Sequence, residues 1–158
     1  MKQIFFILLL MVIFAVTSQC GFKKLNKSEN QNFIISEIDL NGNKKINYKL
    51  KNKLLVNNPN DSENLLKINI ETNNKREIKE KNIRNEITKY LIILDTNVKV
   101  KVAGKEKIDE FKLSVRGDYV VADSYSTTLS NEKNLLNRLI ENLSEKILAE
   151  IYYIIDDL

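Results

Sequence analysis

"NVKVKVAGKEKIDEFKLSVRGDY", residues 97–119, decides the architecture. Val98, Val100 and Val102 alternate with Lys99 and Lys101, and Phe111, Leu113 and Val115 alternate on the return. Ala103-Gly104-Lys105-Glu106 stands between them as the turn. A period of two with apolar residues on one side only is the mark of a half-buried strand, so the stretch predicts a hairpin with one dry and one wet face. The β-forming run reaches upstream to Ile87. A dry face needs a cover, and the flanking segments have to supply it.

Downstream, Leu136, Ile140, Leu143, Ile147, Ile151 and Ile154 recur at steps of three and four, which predicts an amphipathic helix from Asn131 to about Ile155. Ser130 is the expected cap. Asp156 and Asp157 sit at the negative end of that helix and read as a frayed tail. Upstream, "FIISEIDL" (33–40) alternates as a strand, Ile34, Ser36, Ile38 and Leu40 against Phe33, Ile35, Glu37 and Asp39. "NGN" at 41–43 is a turn, with Asn43 as cap of a helix from Lys44 to Val56 whose stripe is Ile46, Leu50 and Leu54. Lys45, Asn47, Lys49 and Asn52 fall on its other faces, and Asn57-Asn58-Pro59 ends it. "LLKINIE" (65–71) alternates again, Leu66, Ile68 and Ile70 against Lys67, Asn69 and Glu71. Strand, helix and strand in succession predict a crossover with the two strands parallel. Residues 72–85, "TNNKREIKEKNIRN", fit either a long polar loop or an extension of the strand.

The expected fold class is therefore α+β: a two-layer sandwich in which a four-stranded mixed sheet is covered on one face by two helices, in the order β-α-β-β-β-α. Residues 33–158 form this one domain, a length that buries a core without disulfides or metal. Residues 1–19 read as a signal peptide, because Lys2 precedes the apolar run Ile4 to Val16, which is too short to span a bilayer as a helix. Residues 20–32 read as a flexible tether, rich in amides and charges.

The single cysteine, Cys20, follows that run. Exported proteins pair their cysteines, so an odd one is either incidental or, at a cleavage point, the lipidated first residue of the mature chain. Position and uniqueness favour lipidation. Gln19 is larger than the residue that usually precedes a lipidated cysteine, and Gly21, where inner-membrane retention uses Asp, favours the outer membrane. Two or more acyl chains make such an anchor stable.

The chain lacks histidine and tryptophan, and with His go the usual general base and commonest metal ligand. No catalytic residues, metal ligands or cofactor are expected. A net charge of +4 spread along the chain does not make a nucleic-acid footprint.

"CGFKKL" (20–25), the helix "NKKINYKLKNKL" (43–54) and "DYVVADSYSTTLSNEKNLLNRLIENLSEKILAEIYY" (118–153) carry a resemblance. The chain resembles the outer-membrane lipopolysaccharide-assembly lipoproteins (LptE), of the alphaproteobacterial type. Tyr119, Asp123, Tyr125 and Glu132 fall where those members carry a Tyr, a small polar linker, a second aromatic and an acidic residue before the terminal helix. The lysines after Phe22 depart from many relatives. The resemblance implies a non-catalytic outer-membrane lipoprotein, lipid-anchored and periplasm-facing. Inside the lumen of a β-barrel lipopolysaccharide translocon (LptD-like) it acts as plug and assembly partner, so that lipopolysaccharide reaches the outer leaflet. A stand-alone periplasmic lipid- or ligand-binding lipoprotein, or an accessory subunit of an envelope transporter, is the alternative.

A polar lumen calls for a small core under a charged surface. Lys99, Lys101, Lys105, Lys107 and Arg116 are either a cationic stripe for lipid A phosphates or the ordinary wet face and edge protection of a hairpin. Tyr119 and Tyr125 either touch the barrel wall or pack locally.

Overall fold

In a computed structural model that describes residues 32–56 and 58–157, the elements follow the expected order. They are β1 (Phe33–Gly42), α1 (Lys44–Leu55), β2 (Asn64–Lys81), β3 (Ile87–Val102), β4 (Ile108–Val120) and α2 (Tyr125–Asp156). The readings at 1–31, including the signal peptide and Cys20, lie outside the described residues. The sheet order is β1-β2-β3-β4. β1 runs parallel to β2, and β2–β3 and β3–β4 are antiparallel, so the sheet is mixed.

Leu66, Ile68 and Ile70 of β2 sit opposite Val102, Val100 and Val98 of β3, all of them buried. Above this dry face, α1 packs over β1 while α2 packs over β4 and β3 and against α1. Leu50, Leu54, Leu143, Ile147 and Ile151 enter the core from the helices, each 1% exposed or less. Two layers result, and among the described residues the second face of the sheet is left open. Gly117 of β4 lets α2 come close, since a Cβ there would stand 2.7 Å from the Leu135 side chain.

Four local features depart from the simple patterns. In β1 the alternation breaks: Phe33 and Ile35 are buried, yet Ile38 and Leu40 also pack against the core. A register shift between Ile35 and Glu37 inserts an extra residue, Ser36, and returns the second half of the strand to the helix side. Asn58 steadies the bulge, accepting from Ile35 N–H at 2.9 Å and donating to Ile35 C=O at 3.1 Å. In α1, Asn43 caps as expected, its Oδ1 accepting from Lys45 and Ile46 N–H. Asn47 is turned in rather than out, at 7% exposed, with its Oδ1 lacking a partner among the described residues.

Residues 72–81 resolve as strand, not loop: β2 continues to Lys81 beside β3, from Thr72 opposite Thr96 to Lys81 opposite Ile87. The segment is polar and charged with no apolar alternation, but β3 is a strong strand and its edge supplies the ladder. Finally, α2 starts at Tyr125 and not after Ser130. Ser124 Oγ caps it, accepting from Thr127 N–H at 3.1 Å, and Thr128 Oγ1 accepts from Ala122 N–H at 2.9 Å. "YSTTLS" has no apolar period of its own, so the helix start depends on these bonds.

Candidate interaction surface

The open face is built by the outward residues of all four strands, and it is rich in ion pairs, with Leu91 and Ile93 of β3 lying among them. Lys67 on β2 meets Glu37 on β1 at 2.5 Å, Lys89 meets Glu80 at 2.6 Å, Lys79 reaches Asp118 at 2.7 Å, and Lys75 approaches Asp95 at 3.6 Å. Asn97 Nδ2 donates to Glu110 at 2.7 Å and Ser114 Oγ to Asp95 at 2.8 Å. Hydrogen bonds to the partner carboxylates raise the Lys67 and Lys89 ammonium pKa values, and the Lys79 bond lowers that of Asp118. All are solvent-exposed pairs that keep the face wet rather than hold the fold together.

Two shallow depressions lie side by side on it. One, of about 360 Å³, is lined by Glu37, Asp39, Lys67, Asn69, Lys99, Lys101 and Ile108. The other, of about 470 Å³, lies over Glu71, Asn73, Asp95, Asn97, Lys112 and Ser114. The structure thus brings Lys99 and Lys101 together and adds Lys67. Lys67 was on the polar side of "LLKINIE" all along, but only the β2–β3 register shows that it neighbours the lysines of β3, opposite Lys101. Lys99 also lies 3.8 Å from Glu110.

The other three cations stand apart. Lys105 is in the turn, and Lys107 is bonded to Asp109 at 2.7 Å, which raises its pKa. Arg116 pairs with Ile93, eight residues along β3 from Lys101, roughly 27 Å at the rise of an antiparallel strand. Among the described residues, Lys101, Lys105 and Arg116 have no carboxylate partner.

The two tyrosines part company. Tyr125, at the start of α2, is 81% exposed. Tyr119 is 4% exposed and faces the helices, stacked on Tyr90 with ring centroids 5.6 Å apart. Its hydroxyl donates to Glu132 Oε2 at 3.1 Å. The Arg76 guanidinium lies 4.4 Å from the centre of the Tyr90 ring and 3.6 Å from the same carboxylate. Tyr119 therefore takes the local-packing role, within a cluster that joins β2, β3, β4 and α2. Burial, and then the Glu132 carboxylate, push its hydroxyl up to about 12.

A phenol kept protonated by the fold stabilises it below the pKa of the unfolded chain, near 10, and loses that contribution as pH rises through about 12. Native protein is expected to lose on the order of 2 kcal/mol in this window through Tyr119 alone. The Tyr119→Phe variant should show a flatter alkaline limb in denaturant titrations between those pH values. Identical limbs in the two proteins would remove Tyr119 as the cause.

No described helix is long and apolar enough to cross a membrane. No protein-family model matches the sequence, and no curated protein matches it. In three dimensions the chain is similar to the rare lipoprotein B from Shewanella oneidensis, with a TM-score of 0.59 at 16% identity over 77% of this chain and 97% of that one. It is also similar to a candidate lipoprotein from Caulobacter crescentus, with a TM-score of 0.54 at 12% identity over 76% and 90% of the two chains. At these identities the likeness is one of fold, and the fold of this chain is that of the two lipoprotein structures.

Proposed function

We propose that this chain is a non-catalytic outer-membrane lipoprotein, anchored through Cys20, that plugs and helps assemble the β-barrel translocon for lipopolysaccharide. The observation that carries the reading is the fold likeness to the rare lipoprotein B structure, which takes in 97% of that chain. A cysteine placed after an apolar run joins it from the sequence. The surface suits the role. A small core closed by two helices leaves a broad sheet face covered with ion pairs and amides, which matches a wet barrel interior. In this role Lys67, Lys99 and Lys101 are the contacts for lipid A phosphates, and Tyr125 rather than Tyr119 offers an aromatic ring to the wall.

Affinity purification of the full chain from detergent-solubilised envelopes tests the plug. A stoichiometric large β-barrel partner is the expected result, and recovery as a lone monomer refutes it in favour of a stand-alone ligand-binding lipoprotein. Acyl labelling tests the anchor separately: Cys20→Ala is expected to abolish incorporation of labelled fatty acid, and continued labelling removes Cys20 as the site.

A further inference from the structure

β1 covers only half of β2. It ends at Gly42, opposite Thr72, whereas β2 runs on to Lys81. Among the described residues, 73–81 pair with β3 alone. Alternate residues of that segment turn their N–H and C=O groups outward with no strand to receive them. The layer above is short in the same place, because α1 starts directly after β1 and runs back over it. Asn74, Arg76 and Ile78 share the helix face with Leu94, Ile92 and Tyr90 of β3 but remain exposed. The outcome is a step in the sandwich with a free strand edge as floor and α2 as side wall.

The charges around the step say what fits it. At its inner end stands the N-terminus of α1, whose first turn holds Lys44 and Lys45 and no acidic residue. Helix N-termini favour negative groups, so the positive end is reinforced instead of balanced. Arg76 adds a third cation, only partly answered by Glu132 at 3.6 Å. At the outer end Ile78 is 52% exposed. Leu129 is 51% exposed and stands one turn before Glu132 on α2. A second copy of the chain fits less well: the two-fold antiparallel register centred on residue 76 sets Lys75 against Glu77 but Arg76 against itself, whereas a carboxylate opposite Arg76 answers that charge.

We infer that the outer edge of β2 at 73–78 is a strand-addition site for an extended segment of another protein, one that alternates carboxylates with aliphatic side chains. Backbone bonds supply the pairing. The carboxylates, all on one face of the added strand, meet Lys44, Lys45 and Arg76, and the intervening aliphatic side chains turn to the other face of the sheet. Edge devices at Lys79 and the bulges around Glu80 end the site before the hairpin tip. The inference goes beyond the barrel reading and does not need it.

Amide hydrogen exchange on the purified full chain in detergent tests it, with capped peptides about as long as residues 73–81 as probes. An alternating Val–Glu peptide is expected to slow exchange within 73–78 by roughly tenfold, and a Val–Lys peptide to leave it unchanged. In the surface double variant Lys44→Glu/Lys45→Glu the preference should weaken or reverse. Three results overturn the proposal: no slowing by the acidic peptide, equal slowing by both peptides, or slowing confined to β4. The first assigns the charges to edge protection alone.

Discussion

Gly42→Ala should cost about 3–5 kcal/mol, enough to consume a large part of the stability of an ordinary domain. Gly42 closes β1 with φ at +104°, a region that an L side chain rarely adopts. A Cβ on it would lie 2.2 Å from the carbonyl oxygen of Thr72, and that neighbour is backbone, held in the ladder on both sides. Nothing flexible can yield, so the end of β1 must lift from β2 and take the start of α1 with it. Gly104 is the internal control. Its φ is +80°, but nothing lies within 4 Å of its Cβ position, so Gly104→Ala should cost only about 1–2 kcal/mol, for backbone strain. Denaturant midpoints of the two variants check the contrast. Equal losses would mean that conformational preference alone, and not the close approach of β1 to β2, governs Gly42.

Leu143→Ala should destabilise by about 3 kcal/mol, within the range of about 2–5 for a leucine cut back in a packed core. Leu143 is fully buried in the middle of the α2 stripe that also holds Leu139, Ile140, Ile147 and Ile151. Its cavity has little room to collapse, since the floor is the sheet and the side is α1. For a chain of this size a melting temperature about 10 °C lower is expected by calorimetry. Asn142→Ala, one residue away on the exposed side of the helix, should change little. A small loss at Leu143 would show that α2 is not seated on the sheet. Because the Arg76, Tyr90, Tyr119 and Glu132 cluster ties the same helix down nearer its start, Leu143→Ala should loosen the middle of α2 before its first turns.

Lipopolysaccharide contact and barrel insertion draw on different parts of one surface in the proposed role. The sheet face presents Lys67, Lys99 and Lys101 in a depression that also contains Glu37 and Asp39, so its field is graded rather than uniformly positive. In that proposed role such a face would hold anions weakly and reversibly, as suits a component past which a charged lipid travels.

Much of the fold was legible in the residues themselves, and for a clear reason. Alternation in "NVKVKV" and "LLKINIE" assigns each side chain to a face whatever the partner, and the three-and-four spacing from Leu136 to Ile154 does the same for α2. These local periods determined the order of elements, the dry face and the need for two covering helices. The polar Asn43 likewise announced the start of α1, because a cap acts within three residues of itself.

What the tertiary structure alone decided involves partners far along the chain. The bulge at Ser36 rests on Asn58, the strand character of 73–81 rests on the ladder offered by β3, and the true start of α2 rests on Ala122 meeting Thr128. Tyr119 was an equally good candidate for wall or core until Glu132 and Tyr90 closed on it. Lys67 joined Lys99 and Lys101 only through the β2–β3 register, which sets it opposite Lys101 at the far end of that long hairpin. Face assignment is a property of neighbouring bonds in one segment, whereas register, bulges and helix starts are set by which distant backbone group is there to be hydrogen-bonded, and that is known only once the chain has folded.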